Sequence, residues 1–141
     1  MPAPISIQFA VAVHVLTYLA GASDSAPVGS PALAGSVNTS PEYIRRVMIP
    51  LRAAGIVSST AGKNGGWLLQ RDPSTLTLAE VWQLVQADEP TMGIHDPNPS
   101  CTVGRSIAQA LITIEQDIAD AVTERLGATT IAHLLESAQA E

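Results

Sequence analysis

Residues 40–69 read SPEYIRRVMIPLRAAGIVSSTAGKNGGWLL, and the fold turns on how this stretch is divided. Ser40 before Pro41 is a helix start: the serine oxygen can accept an early N–H, and proline's missing N–H is harmless at the first helical position. Tyr43, Ile44, Val47, Met48 and Leu51 then recur at helical spacing up to Gly55. At that glycine the period changes. Ile56–Ser59 and Trp67–Gln70 are β-favouring runs, and Asn64-Gly65-Gly66 between them tolerates the positive φ that a tight hairpin demands.

Working outward, Ser30-Pro31 repeats the same device after a loop from Gly21 to Gly29, and predicts a short helix through about Gly35. Two short helices joined by a tight turn read as a helix-turn-helix, with the Pro41 helix as recognition helix and the hairpin as wing. Upstream, Ile7, Ala10, Val11, Val15, Tyr18 and Leu19 keep a helical period between Ser6 as N-cap and Gly21 as stop. Downstream, Thr77 and Glu80 form a capping box for a helix through about Ala87, with Leu78, Val81, Trp82 and Val85 turned inward. A linker containing Pro90, Pro97 and Pro99 leads to a long helix from Thr102 to Leu126, stopped by Gly127. Its apolar positions Val103, Ile107, Leu111, Ile114, Ile118 and Ala121 follow the spacing of helices that pack along one another. Such a helix either pairs with its copy in a second chain or folds back on its own head. Thr129-Thr130 cap a last short helix with Ile131, Leu134 and Leu135 inward. The expected organisation is mainly α with a small β-hairpin. A winged helix-turn-helix head occupies 1–87, a linker loop 88–101, and a dimerisation helix with a C-terminal short helix 102–141.

A chain of 141 residues, 46% hydrophobic and 14% charged, suits one ordered domain with an added helix. The single cysteine, Cys101, cannot form an internal disulfide, which points to a reducing cytoplasm. No Lys or Arg precedes Arg45, so the basic start of a signal peptide is missing, and Phe9–Ala22 is too short and too polar for a membrane span. Net charge is −6, yet residues 43–71 hold Arg45, Arg46, Arg52, Lys63 and Arg71 and no acid. A +5 window across a recognition helix and wing points to duplex DNA as partner, with a protein-interaction module as the other reading. Catalysis finds no support. There is no nucleophile beside a base, and Gly62-Lys63-Asn64-Gly65-Gly66 lacks the Gly-Lys-Ser/Thr ending of a phosphate loop. His14, His95 and His133 show no metal-ligand spacing, and His14 is expected in the core or an interface.

The stretches Ser40–Ile44, Leu51–Ser59, Gly62, Gly65–Leu69 and Thr75–Val81 resemble the Rrf2 family of bacterial transcriptional regulators, and the resemblance runs from residue 6 to about 135. It implies a winged helix-turn-helix with a long dimerisation helix, a homodimer, and commonly repression. Recognition-helix contacts would fall on Glu42, Tyr43, Arg45 and Arg46, and wing contacts on Ala61 and Gly62. With the helix cap and the other basic residues, the expected DNA-binding set is Ser40, Glu42, Tyr43, Arg45, Arg46, Arg52, Gly62, Lys63 and Asn64. The expected dimer seam is Ile107, Leu111, Ile114 and Ile118. Members often carry arginine where this chain has Ala61, so Lys63 would have to supply the wing's phosphate contact. Pro50 inside the recognition helix predicts a kink, because proline removes a hydrogen bond and clashes with the preceding turn. Cluster-binding members carry three cysteines in the loop before the long helix, as thiolates are the usual iron ligands. One cysteine here implies the cluster-free branch, with no cofactor. Cys101, at the start of a helix whose free N–H groups favour an anion, is then a candidate redox thiol, and an oxidant or a small molecule the candidate effector.

Overall fold

The computed structural model describes residues 5–22 and 26–141. Among them the order is α1 (Ile5–Gly21), α2 (Ser30–Val37), α3 (Pro41–Ala53), β1 (Val57–Thr60), β2 (Gly66–Leu69), α4 (Leu78–Gln86), α5 (Thr102–Gly127) and α6 (Ile131–Gln139). The side chain of Ser6, the expected N-cap of α1, and part of the loop after Gly21 lie outside the described residues.

The caps explain most boundaries. Ser40 Oγ accepts the Tyr43 N–H at 3.2 Å, so α3 starts at Pro41 as its sequence demands. Helix α2 differs from expectation. Gly29 is its N-cap and Ser30 its first residue, because the Ser30 hydroxyl is buried and accepts the Trp67 indole N–H at 3.0 Å instead of capping. It runs to Val37, two residues beyond the expected Gly35, with Asn38 as C-cap in the left-handed region at φ 67°. Helix α3 continues through Pro50 to Ala53. At α4, Thr77 Oγ1 accepts the Glu80 N–H at 3.2 Å, but the reciprocal half of the box is replaced, since the Glu80 carboxylate pairs with Arg71 at 2.7 Å. Thr130 does cap α6 reciprocally: its Oγ1 accepts the His133 N–H while its own N–H donates to His133 Nδ1.

Strands β1 and β2 pair antiparallel, with Val57 opposite Leu69 and Thr60 opposite Gly66. Trp67 also exchanges backbone hydrogen bonds with Val28, at 3.0 and 2.8 Å, so the wing is stitched to the chain just before α2. Only glycine fits at position 66, where a Cβ would collide with the Val28 carbonyl.

The core lies among α1, α2 and α3 and is closed from outside that trio. Leu16, Leu33, Ile44, Met48 and Leu51 have no exposed surface, nor have Leu76, Val81 and Ile131 from later elements. Phe9 of α1 meets Trp82 of α4 edge-on at 5.2 Å. Helix α6 returns to pack along α1, and the stretch before it is laced to the stretch before α4: Leu78 N–H donates to Thr129 O and Ile131 N–H to Leu76 O, both at 2.9 Å.

Helix α5 packs on α4, yet none of its residues is buried. The linker before it is fastened rather than loose. Both carboxylate oxygens of Glu115 accept backbone N–H groups, from Thr91 and Met92, at 2.7 Å. Gln86 Nε2 donates to Thr91 Oγ1 at 3.0 Å. Of the expected seam, Ile107 and Ile114 are each 47% exposed, and Leu111 and Ile118 are partly covered. No helix of the described residues is long and apolar enough to cross a membrane.

Candidate nucleic-acid interface

The apolar stripe of α3 faces the core, which leaves Glu42, Arg45, Arg46, Ile49 and Arg52 on its outer side. Glu42 and Arg45 form a loose pair at 3.9 Å with both side chains well exposed, an arrangement that contributes little on its own. Arg46 lies over the Tyr43 ring, its guanidinium carbon 5.4 Å from the centroid. Tyr43 itself is half-buried against the core, and its hydroxyl is buried with no hydrogen-bond partner among the described residues. The ring therefore lies beneath Arg46 with its hydroxyl end covered.

Opposite α3 stands the wing. Its tip, Ala61 to Asn64, is exposed, and the turn closes through Gly62 at φ 101° and a Gly65 N–H to Gly62 O bond of 3.1 Å. Between α3, the wing and the loop before α2 lies a concavity of ≈1020 Å³, with Arg45, Arg52, Lys63 and Asn64 among its lining residues. The described structure thus brings Arg45, Arg52, Lys63 and Asn64 to one hollow, with Arg46 on the same outer side of α3.

Arg71 and Arg52 are also held by other side chains. Arg71 turns to Glu80, an acid outside the window in sequence and within hydrogen-bond reach in space. Arg52 Nη1 donates to Ser59 Oγ on β1 at 3.1 Å, and its guanidinium carbon is 5.8 Å from the Trp67 ring centroid. Neither engagement has a local signature in the sequence. Behind the wing, the Ser74 hydroxyl and backbone N–H both donate to Asp72 Oδ1, and these two bonds hold the Asp72 carboxyl below its ordinary value.

His14 is exposed, not in the core, with Nε2 2.9 Å from Ser36 Oγ on α2. Cys101 is exposed and is the N-cap of α5, its Sγ accepting the Gly104 N–H at 3.3 Å.

A family model described as Rrf2, iron-dependent transcriptional regulator, matches residues 5–137. The HTH-type transcriptional regulator YwnA of Bacillus subtilis is 34% identical over 128 residues, 90% of this chain and 93% of that one. CymR of the same organism, also an HTH-type transcriptional regulator, is 28% identical over 131 residues, 92% of this chain and 88% of its own. A crystal structure of a transcriptional regulator from Lactobacillus plantarum superposes with a TM-score of 0.79 at 27% identity, covering 94% of this chain and 90% of that one.

Iron in the family's description finds no matching ligands here. Sulfur ligation of iron takes several thiolates, whereas this chain has one cysteine, whose sulfur caps α5. Among the described residues no three His, Cys, Asp or Glu side chains converge as a metal site. With that departure in its loop, the chain belongs to the Rrf2 family of DNA-binding helix-turn-helix transcriptional regulators.

Proposed function

We propose that the chain acts as a cytoplasmic, non-catalytic homodimeric repressor that lays the first turns of α3 in the major groove and the wing tip on the neighbouring backbone. The observation that carries this reading is the basic hollow: Arg45 near the start of α3 and Lys63 at the wing tip line it, and Arg46 is exposed beside Arg45 on α3. A helix N-terminus entering the major groove puts such side chains at base edges, and a wing lysine meets phosphate. Arg46, steadied by the Tyr43 ring, is assigned to base readout, and Ser40 and Glu42 to the helix start. Dimerisation is supported by α5, where Val103, Ile107, Ile112 and Ile114 stay exposed on a helix with no buried residue. A two-fold dimer would present two α3 helices to a palindromic operator, and occupying a promoter suffices to repress.

The test is footprinting of the purified, reduced protein on the DNA upstream of its own gene, with affinities measured across a salt series. A two-fold footprint whose affinity falls steeply with salt is the expected outcome. Arg46→Ala should lower discrimination between operator and random DNA, on the order of 1–3 kcal/mol, while Lys63→Ala should weaken both alike. Binding that ignores salt, or no footprint, would instead favour a protein partner. Cys101 is the proposed entry point for an oxidant, since its thiol is exposed at the root of α5. Peroxide should weaken operator binding by wild type and leave Cys101→Ser unaffected; an equal response of both would remove the thiol from the mechanism.

A further inference from the structure

We propose that Arg52 is a positioning residue that sets the bearing of the wing, and that it does not itself hold DNA. The proposal rests on the DNA-binding reading above and changes the role of one residue within it. Arg52 sits in the last turn of α3, on the outer face, where a cation beside a basic hollow would ordinarily be counted as a phosphate contact. Its guanidinium is already committed on two sides. One edge donates to Ser59 Oγ on β1 at 3.1 Å, and the group lies 5.8 Å from the ring centre of Trp67 on β2. Ser59 and Trp67 are cross-strand partners, so a single side chain from α3 grips both strands of the hairpin at the same rung.

The far side of that rung is held as well. Trp67 is 6% exposed, and its indole N–H donates to Ser30 Oγ at 3.0 Å, Ser30 being 7% exposed and the first residue of α2. The Trp67 backbone exchanges two hydrogen bonds with Val28. A line of contacts therefore runs α2, Trp67, Arg52, Ser59 and binds the wing to both helices of the helix-turn-helix. The tip has no such support: residues 61–64 are exposed, and their reach to the backbone depends on the angle set at this rung. A guanidinium can lie flat over an aromatic ring while donating at its edge, which an ammonium cannot do.

The experiment is a double-mutant cycle on operator affinity with Arg52→Ala, Lys63→Ala and the pair, together with Arg52→Lys, alongside amide hydrogen exchange of each free protein. In the wild-type background Lys63→Ala should cost roughly tenfold, the loss of one charge-assisted contact. In the Arg52→Ala background it should cost less than about twofold, because a mis-set wing no longer delivers Lys63. Arg52→Lys should behave like Arg52→Ala although the charge is kept. Exchange should quicken at the wing amides of both Arg52 variants, with α1 amides unchanged as the control for folding. Effects of Arg52→Ala and Lys63→Ala that multiply, or wing exchange that stays at the wild-type rate, would overturn the proposal and make Arg52 a direct contact. If wild type shows no salt-sensitive duplex binding, the DNA-binding reading falls, and the exchange comparison still decides the role of Arg52.

Discussion

The head and the long helix are both rich in aliphatic residues, but they close in different ways. In α1 to α3 the stripes meet one another, and Leu16, Leu33, Ile44, Met48 and Leu51 lose all contact with water. In α5 the repeat is just as regular, yet Val103 is 69% exposed and Ile107, Ile112 and Ile114 about half exposed. Charge divides along the same line. Residues 43–71 hold five bases and no acid, while 102–141 hold six acids and two bases. The difference teaches that a regular apolar stripe does not by itself predict burial within one chain. Short helices joined by tight turns can cover one another, whereas a 26-residue helix that touches its own head mainly through α4 leaves an apolar face exposed.

The comparison breaks first where a charge enters the uncovered face. Ile114→Glu, counted twice in a dimer, should cost on the order of 2–5 kcal/mol of association per copy and leave a monomer with a folded head. Sedimentation reads the state; an unchanged dimer would move the interface off this face. Next is the closed side. Leu16→Ala removes a fully buried side chain and should lower unfolding stability by about 2–5 kcal/mol, measured by urea titration at fixed protein concentration. A loss near zero would mean that the head is as open there as α5.

A smaller effect of opposite sign is expected at Tyr43. Its buried hydroxyl lacks a partner among the described residues, so Tyr43→Phe should stabilise the head by about 1 kcal/mol and leave operator discrimination intact. A drop in discrimination would instead show that the hydroxyl turns out to meet a base. Smallest is the turn after the wing. The Asp72 carboxyl is held below its ordinary value of 3.8, so its contribution is present above that pH and is lost as pH falls through the lowered folded value. Acid unfolding of Asp72→Asn should accordingly lack a slight pH dependence below about pH 4 that wild type shows.

What could be read from the sequence follows from the range of each interaction. Helices, the hairpin and the Ser40, Thr77 and Thr130 caps depend on neighbours within a turn or two, and apolar spacing shows them. Ser-Pro fits a cap at Ser30, yet its hydroxyl turns instead to an indole 37 residues away. The basic window counted Arg71, which no local pattern could assign to Glu80. Tyr43 kept its place on α3 but turned its ring inward, since a residue at the edge of the apolar stripe can serve either side. The proline-rich linker gave no hint that Glu115, more than twenty residues on, would hold Thr91 and Met92. In each case the second partner comes from a distant element, and only the folded chain brings it near.

Ile131 adds a consequence for how the molecule is made. It is wholly buried in the head's core, although it follows the long helix in sequence, and the backbone around it is tied to Leu76 and Leu78. A growing chain that has passed α3 and the wing has Arg45, Arg46 and Lys63 but not the last piece of its core. The head can be sealed only after α5 has been synthesised, so α3 and α5 are completed together, and a fragment broken off before residue 131 should be destroyed rather than persist as a free head. Proteolysis of chains ending at Leu126 against chains ending at Gln139 measures this, and equal resistance of the two would show that the head seals without its final plug.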